Sequence, residues 1–104
     1  MISRNQEKID NKIAELKRKY PDVKYLGVQA DLSKMTKIAE YRDLFDRPDL
    51  KNIDIGFVCL NAGTYAAGPV DKVNDAEFEA QYTLNVLHTV YLTKALLSRL
   101  LTRP

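Results

Sequence analysis

The segment Ile53-Asp54-Ile55-Gly56-Phe57-Val58-Cys59-Leu60 places the tightest constraint on what this chain can fold into. It is short, almost unbroken in apolar character and rich in strand formers. It therefore reads as a strand buried on both faces, the pattern of a parallel sheet covered by helices. Val23 to Ala30 is a second run of strand formers and ends at Asp31-Leu32-Ser33. Between the short apolar start and that run, Ile9, Ile13, Leu16 and Tyr20 recur at spacings of four, three and four, which puts them on one helical face. Ser3-Arg4-Asn5-Gln6 has the S-x-x-Q form of a capping box for this helix, Glu15 and Lys19 sit one turn apart on it, and Pro21 stops it. Met35, Ile38, Tyr41 and Phe45 give a second amphipathic helix, closed by the turn Asp46-Arg47-Pro48-Asp49.

Downstream of the apolar run, Asn61 to Val73 carries Gly63, Gly68 and Pro69 and reads as a loop of functional length. Asn74, with Glu77 three residues on, is an N-cap for a helix running to about Thr102, roughly 40 Å long at 1.5 Å per residue. Its stretch Leu84 to Leu101 is apolar on several faces but holds Asn85, His88, Lys94 and Arg99. Charges at bilayer depth cost several kcal/mol each, so the helix is expected to lie between the sheet and a partner, not in a membrane. A homodimer through this helix is expected in the complete protein, with Leu92 and Ala95 on its outward stripe.

Strand end, helix, strand, helix, strand and long helix make an α/β order, a doubly wound parallel sheet. The chain has 104 residues, the length of one small domain. A net charge of +2 sets up no strong basic field, so nucleic acid is not implied. The single cysteine, Cys59, excludes an internal disulfide framework; on a buried strand it is expected to be inert. Met1-Ile2-Ser3-Arg4-Asn5 has no apolar core, so no signal peptide is expected in this chain.

In sheets of this kind, ligands sit beyond the carboxyl ends of the strands. Arg4 follows the first strand end, Asp31 the second, and Asn61-Ala62-Gly63 the third. These residues resemble the short-chain dehydrogenase/reductases, over essentially the whole chain but against only the middle of a typical member. Leu60-Asn61-Ala62-Gly63 is similar to that family's N-N-A-G motif, with Leu in place of the first Asn. Asp31-Leu32 resembles the aspartate–hydrophobe pair beside the adenine ring. Ser3-Arg4-Asn5 is similar to the segment after the second strand, where a basic residue favours NADP over NAD. Asn85, 22 residues after Gly63 within Thr83-Leu84-Asn85-Val86, matches the catalytic asparagine. Ile2-Ser3-Arg4-Asn5-Gln6-Glu7-Lys8-Ile9 further resembles the hydroxysteroid dehydrogenase and long-chain 3-oxoacyl-CoA reductase branch.

The resemblance implies a partial Rossmann sheet holding the end of strand 2, then strands 3 and 4. NADP(H) would be bound by Ser3, Arg4, Asp31, Leu32, Asn61, Ala62 and Gly63. Asn85 would kink its helix and hold a water in a proton relay. The substrate would be a small hydroxy or keto compound, steroid or 3-oxoacyl in that branch. The protein would be intracellular, in the cytoplasm or at the cytosolic face of the endoplasmic reticulum. Each assignment has a plainer alternative. Arg4 could be a solvated helix-start residue, Asp31 a helix cap and Asn85 a core asparagine bonded to backbone. His88 reads as a packing or hydrogen-bonding residue rather than a base.

The family's T-G-x-x-x-G-x-G turn is absent; Gly27, Gly56, Gly63 and Gly68 do not make that spacing, nor a Walker loop. Tyr20-Pro21-Asp22-Val23-Lys24 matches Y-x-x-x-K as a string, but Pro21 breaks the helix that would put both side chains on one face. Tyr91 and Lys94 are one residue too close. The chain is therefore expected to be an incomplete NAD(P)-binding domain, without turnover by itself. A non-catalytic α/β module that binds a nucleotide or a partner is the alternative. A receiver-like variant fits less well, since Asp54 stands at a strand's start instead of its carboxyl end.

Overall fold

The computed structural model describes residues 1–103, divided into a unit of residues 1–32 and a unit that begins at Ser33. In the first unit, β1 (Ile2–Ser3) pairs in parallel with β2 (Val28–Gln29), Ile2 opposite Val28 and Ser3 opposite Gln29. Two further bonds extend the ladder, from the Val28 N–H to the Met1 carbonyl (2.9 Å) and from the Ala30 N–H to the Ser3 carbonyl (3.0 Å). The run Val23–Ala30 is thus strand only at Val28–Gln29, because β1 offers it just two partner residues.

Helix α1 (Gln6–Lys19) joins the strands and packs on both. Its cap is Asn5, whose Oδ1 accepts from the Lys8 N–H at 2.9 Å, and not the expected Ser3. Ser3 is committed to the ladder, so the first acceptor side chain beyond the strand takes the cap. The apolar face forms as the spacing predicts: Ile9 is buried, Ile13 and Leu16 half-buried, and Tyr20 ends the helix. Glu15 pairs with Lys12 (2.8 Å), one turn earlier, instead of Lys19, and that ammonium holds its carboxyl below the usual range. Gly27 lets the helix close on the sheet, since a Cβ there would overlap Ile9 Cγ2 and meet Ile13 Cδ1 at 3.0 Å.

A 3-10 turn, Leu32–Lys34, leads into the second unit. Helix α2 (Ile38–Phe45) starts three residues after Met35, where the Glu40 carboxylate accepts the Lys37 N–H at 2.8 Å. The long helix begins where expected, with Asn74 Oδ1 accepting from the Glu77 N–H at 2.9 Å. It is not uniform: α3 (Asp75–Tyr82) passes through a π turn (Thr83–Leu87) into α4 (His88–Leu101). Helices α2 and α4 pack together through Tyr41, Phe45, Leu92 and Leu96, with Tyr41 and Tyr91 edge to face at 6.2 Å. Arg99 on α4 donates to the Phe45 carbonyl (2.9 Å), at the end of α2, and to the Leu50 carbonyl (3.3 Å), which also accepts from the Ile53 N–H.

The expected strand Ile53–Leu60 is not one. The segment has no regular secondary structure; Phe57 is 85% exposed, and Ile53, Leu60 and Cys59 are also exposed. A strand exists only against a backbone partner, and among the described residues the sheet has two strands, β1 and β2. The burial argument for an inert Cys59 falls with it. The segment is tied down at its start by the pair between Asp54 and Arg103 (2.7 and 2.8 Å), which holds the Asp54 carboxyl below its usual range. Leu92 and Ala95 do not form the outward stripe either: Leu92 is buried and Ala95 half-buried, whereas Phe78, Tyr82, Val86, Val90, Leu97 and Leu101 are exposed. Among the described residues, no helix is long and apolar enough to cross a membrane.

Candidate functional site

In the first unit, the parallel pairing of β1 and β2 brings both carboxyl ends to one edge. Ser3 and Arg4 leave that edge from β1, and Asp31 and Leu32 leave it from β2. Gln29 Nε2 donates to the Arg4 carbonyl at 3.2 Å, which fixes the Arg4 backbone to the end of β2. The Arg4 side chain is exposed, Ser3 and Asp31 are half-buried, and Leu32 is buried, leaving little of its surface for a ligand. The exposed guanidinium at this edge suits an anionic group of a ligand, and the Ser3 hydroxyl and Asp31 carboxylate suit its neutral hydrogen-bonding groups. The fork of Arg donors is matched to phosphate oxygens in particular.

In the second unit, Asn61, Ala62 and Gly63 are exposed. Asn85, in the π turn, is bonded to the loop that follows them through both ends of its amide. Its Oδ1 accepts from the Thr64 N–H at 2.9 Å, and its Nδ2 donates to the Thr64 carbonyl at 2.7 Å. The plainer alternative for Asn85, an amide bonded to backbone, describes these contacts, although the residue is exposed and not core. Gly63 faces the same amide, and a Cβ there would stand 3.4 Å from Asn85 Oδ1. Two residues on from Asn85 the π turn ends, and His88 is buried at 2% exposure with Nδ1 3.1 Å from the Leu84 carbonyl.

This arrangement can hold a loop still while leaving its outer face open, with no Cβ at Gly63 to keep a ligand off the backbone. It contains no evident acid or base. Tyr20 lies at the C-cap of α1 and Lys24 beyond the turn that follows, so the Y-x-x-x-K string does not share a helix face. Among the described residues, no group of three or more His, Cys, Asp or Glu is placed to hold a metal ion. Thr64 was not legible in advance, because its contribution is wholly main-chain. The bond from His88 was legible only in part, through a polar residue three positions after Asn85 in an apolar helix.

A family model described as short chain dehydrogenase matches residues 1–104. Among solved structures the chain is similar to the bulky-bulky ketone specific alcohol dehydrogenase from Comamonas testosteroni. The TM-score is 0.76 at 23% identity, covering 95% of this chain and 38% of that one. At that identity the likeness is one of fold, and the chain spans 38% of the length of that enzyme. No curated protein matches the chain.

Proposed function

The chain belongs to the short chain dehydrogenase family, and on that premise we propose that it is a cofactor-binding portion of an NADP(H)-dependent oxidoreductase interconverting hydroxyl and keto groups. The observation that carries this reading is the two-ended bond between the Asn85 amide and the Thr64 main chain. It supports Asn61-Ala62-Gly63 as a held, open loop of the kind a dinucleotide approaches closely.

Bound NADP(H) supplies the hydride chemistry; the chain's own residues bind and orient. Arg4 pairs its guanidinium with the 2′-phosphate and Ser3 adds a hydroxyl donor. Asp31 would offer an acceptor to the adenine amino group, with the buried Leu32 behind it. Asn61, Ala62 and Gly63 offer main-chain and amide contacts. Asn85 keeps that loop in place and supports the proton relay. No side chain of this chain is assigned the acid/base role, so the chain by itself is without turnover. The substrate is a hydroxy or keto compound of lipid-like character, steroid or 3-oxoacyl. In support, Ile55 to Val70 carries no charge, and Phe57 and Tyr65 lie exposed within it. The partner is a second copy, seated on the exposed stripe of α3 and α4 named above, because soluble monomers rarely leave such a stripe uncovered.

Titration of the ¹⁵N-labelled chain with NADPH tests the reading. Shifts concentrated at Ser3, Arg4, Asp31, Leu32, Asn61, Ala62 and Gly63 are the expected result. No shifts, or shifts spread evenly over the chain, would overturn it.

A further inference from the structure

An α-helix matches each main-chain N–H with the carbonyl four residues back; a π turn lengthens that register to five. At the end of the turn the His88 N–H donates to the Thr83 carbonyl, five residues back. In α register that N–H would have gone to Leu84. The Leu84 carbonyl receives the His88 ring in its place, with Nδ1 at 3.1 Å. A carbonyl can only accept, so Nδ1 must carry the proton. His88 thus serves two carbonyls with two N–H groups, one from its backbone and one from its side chain. It is 2% exposed and its ring's bond to the Leu84 carbonyl is part-buried, so water does not readily replace that bond and its loss would cost about one net hydrogen bond.

Asn85 lies within this same turn and reaches out of it to both polar atoms of the Thr64 main chain. We propose that His88 is a positioning residue: by supplying a ring N–H to the Leu84 carbonyl it sustains the π turn, and so holds Asn85 against the loop that carries Asn61-Ala62-Gly63. Its importance to catalysis rests on the function proposed above. Its importance to the loop does not.

The tests use the whole chain. Long-range ¹H–¹⁵N correlation of the His88 ring should show a protonated Nδ1 near neutral pH; a bare Nδ1 with the proton on Nε2 overturns the proposal. Hydrogen exchange at the Thr64 amide then reads the loop. His88→Leu should speed exchange about fivefold or more, the worth of one net hydrogen bond, while the amides of the last turn of α4 keep their protection. His88→Asn, whose side-chain N–H can stand where Nδ1 does, should stay within about twofold of the native chain. Unchanged exchange in His88→Leu overturns the proposal, as does a His88→Asn chain that exchanges like His88→Leu. Where His88→Leu loses the last turn of α4 as well, the ring tautomer and His88→Asn decide alone. Normal tautomer and exchange results with no response to NADPH would overturn the cofactor reading and leave the role of His88 standing.

Discussion

Replacing Gly27 with alanine sets two effects of opposite sign against each other. The new methyl would overlap Ile9 Cγ2 and meet Ile13 Cδ1 at 3.0 Å. Ile9 is 1% exposed and cannot turn aside without leaving the core. Over-packing of this kind costs about 1–3 kcal/mol. Gly27 is not in the left-handed region, so the lost freedom of the unfolded chain returns about 0.4–1 kcal/mol. The steric effect wins, for a net loss of roughly 1–2 kcal/mol, or about 5–15 °C in Tm for a chain of this size. Urea unfolding followed by circular dichroism measures it. Ile9→Ala should cost about 2–5 kcal/mol alone. Combined with Gly27→Ala it should cost less than the two together, by about 1 kcal/mol, because the methyl enters the space vacated. A Gly27→Ala chain as stable as the native one, or strict additivity in the double variant, would refute the packing of α1 on the strands that carry Ser3, Arg4 and Asp31.

Asn85→Leu removes both bonds to Thr64, which are exposed and so partly replaced by water; about 1 kcal/mol is expected, seen as roughly fivefold faster exchange at the Thr64 amide with the α2–α4 packing intact. Tyr41 is fully buried, and its hydroxyl has no hydrogen-bond partner among the described residues, so Tyr41→Phe should be at least as stable at pH 7 by urea midpoint. Burial pushes the Tyr41 hydroxyl up from 10.0 to about 12. The stability tied to its neutral form is therefore complete below pH 10.0 and lost as pH rises through about 12, a loss that urea midpoints across that window should show in the native chain and not in Tyr41→Phe. Val90→Glu with Leu97→Glu should abolish self-association in sedimentation at micromolar concentration without altering the helical signal; a native chain that sediments as a monomer would rule out that face as an interface.

What the sequence disclosed follows from how local each signal is. The apolar face of α1 and the Asn74 cap are set by residues within one or two turns, and both stand where the spacing put them. Ile53–Leu60 shows the limit. Its composition records an environment covered on both faces, but strandness is decided by a partner elsewhere, and β1 pairs with β2 instead. The cap of α1 moved from Ser3 to Asn5 for a related reason, since a tertiary ladder claimed Ser3 first. Along the long helix, a uniform period of 3.6 misassigned the outward face, placing Leu92 outside when it packs on α2. The π turn adds an extra residue to the register, and nothing in the apolar pattern announces it. The polar residues Asn85 and His88 do, since each has a bonding role in the turn. In the candidate site, Arg4 and Asp31 were legible as polar signals just beyond two strand ends, which the β1–β2 pairing puts at one edge, whereas Asn61-Ala62-Gly63 follows a segment that forms no strand. Thr64 was not legible, because only its backbone takes part.

If Arg4 at the β1 edge pairs with the 2′-phosphate of NADP(H), as proposed, it should select a 2′-phosphorylated adenine nucleotide. Adenosine 2′,5′-bisphosphate and 5′-AMP differ in that one phosphate, and calorimetric titration of the chain with each isolates it. One guanidinium–phosphate pair is worth roughly 1–3 kcal/mol, so the bisphosphate should bind about five- to a hundredfold more tightly, and Arg4→Ala should bring the two affinities together. Equal affinity of the native chain for the two nucleotides, or a preference that survives Arg4→Ala, would contradict the proposed pairing.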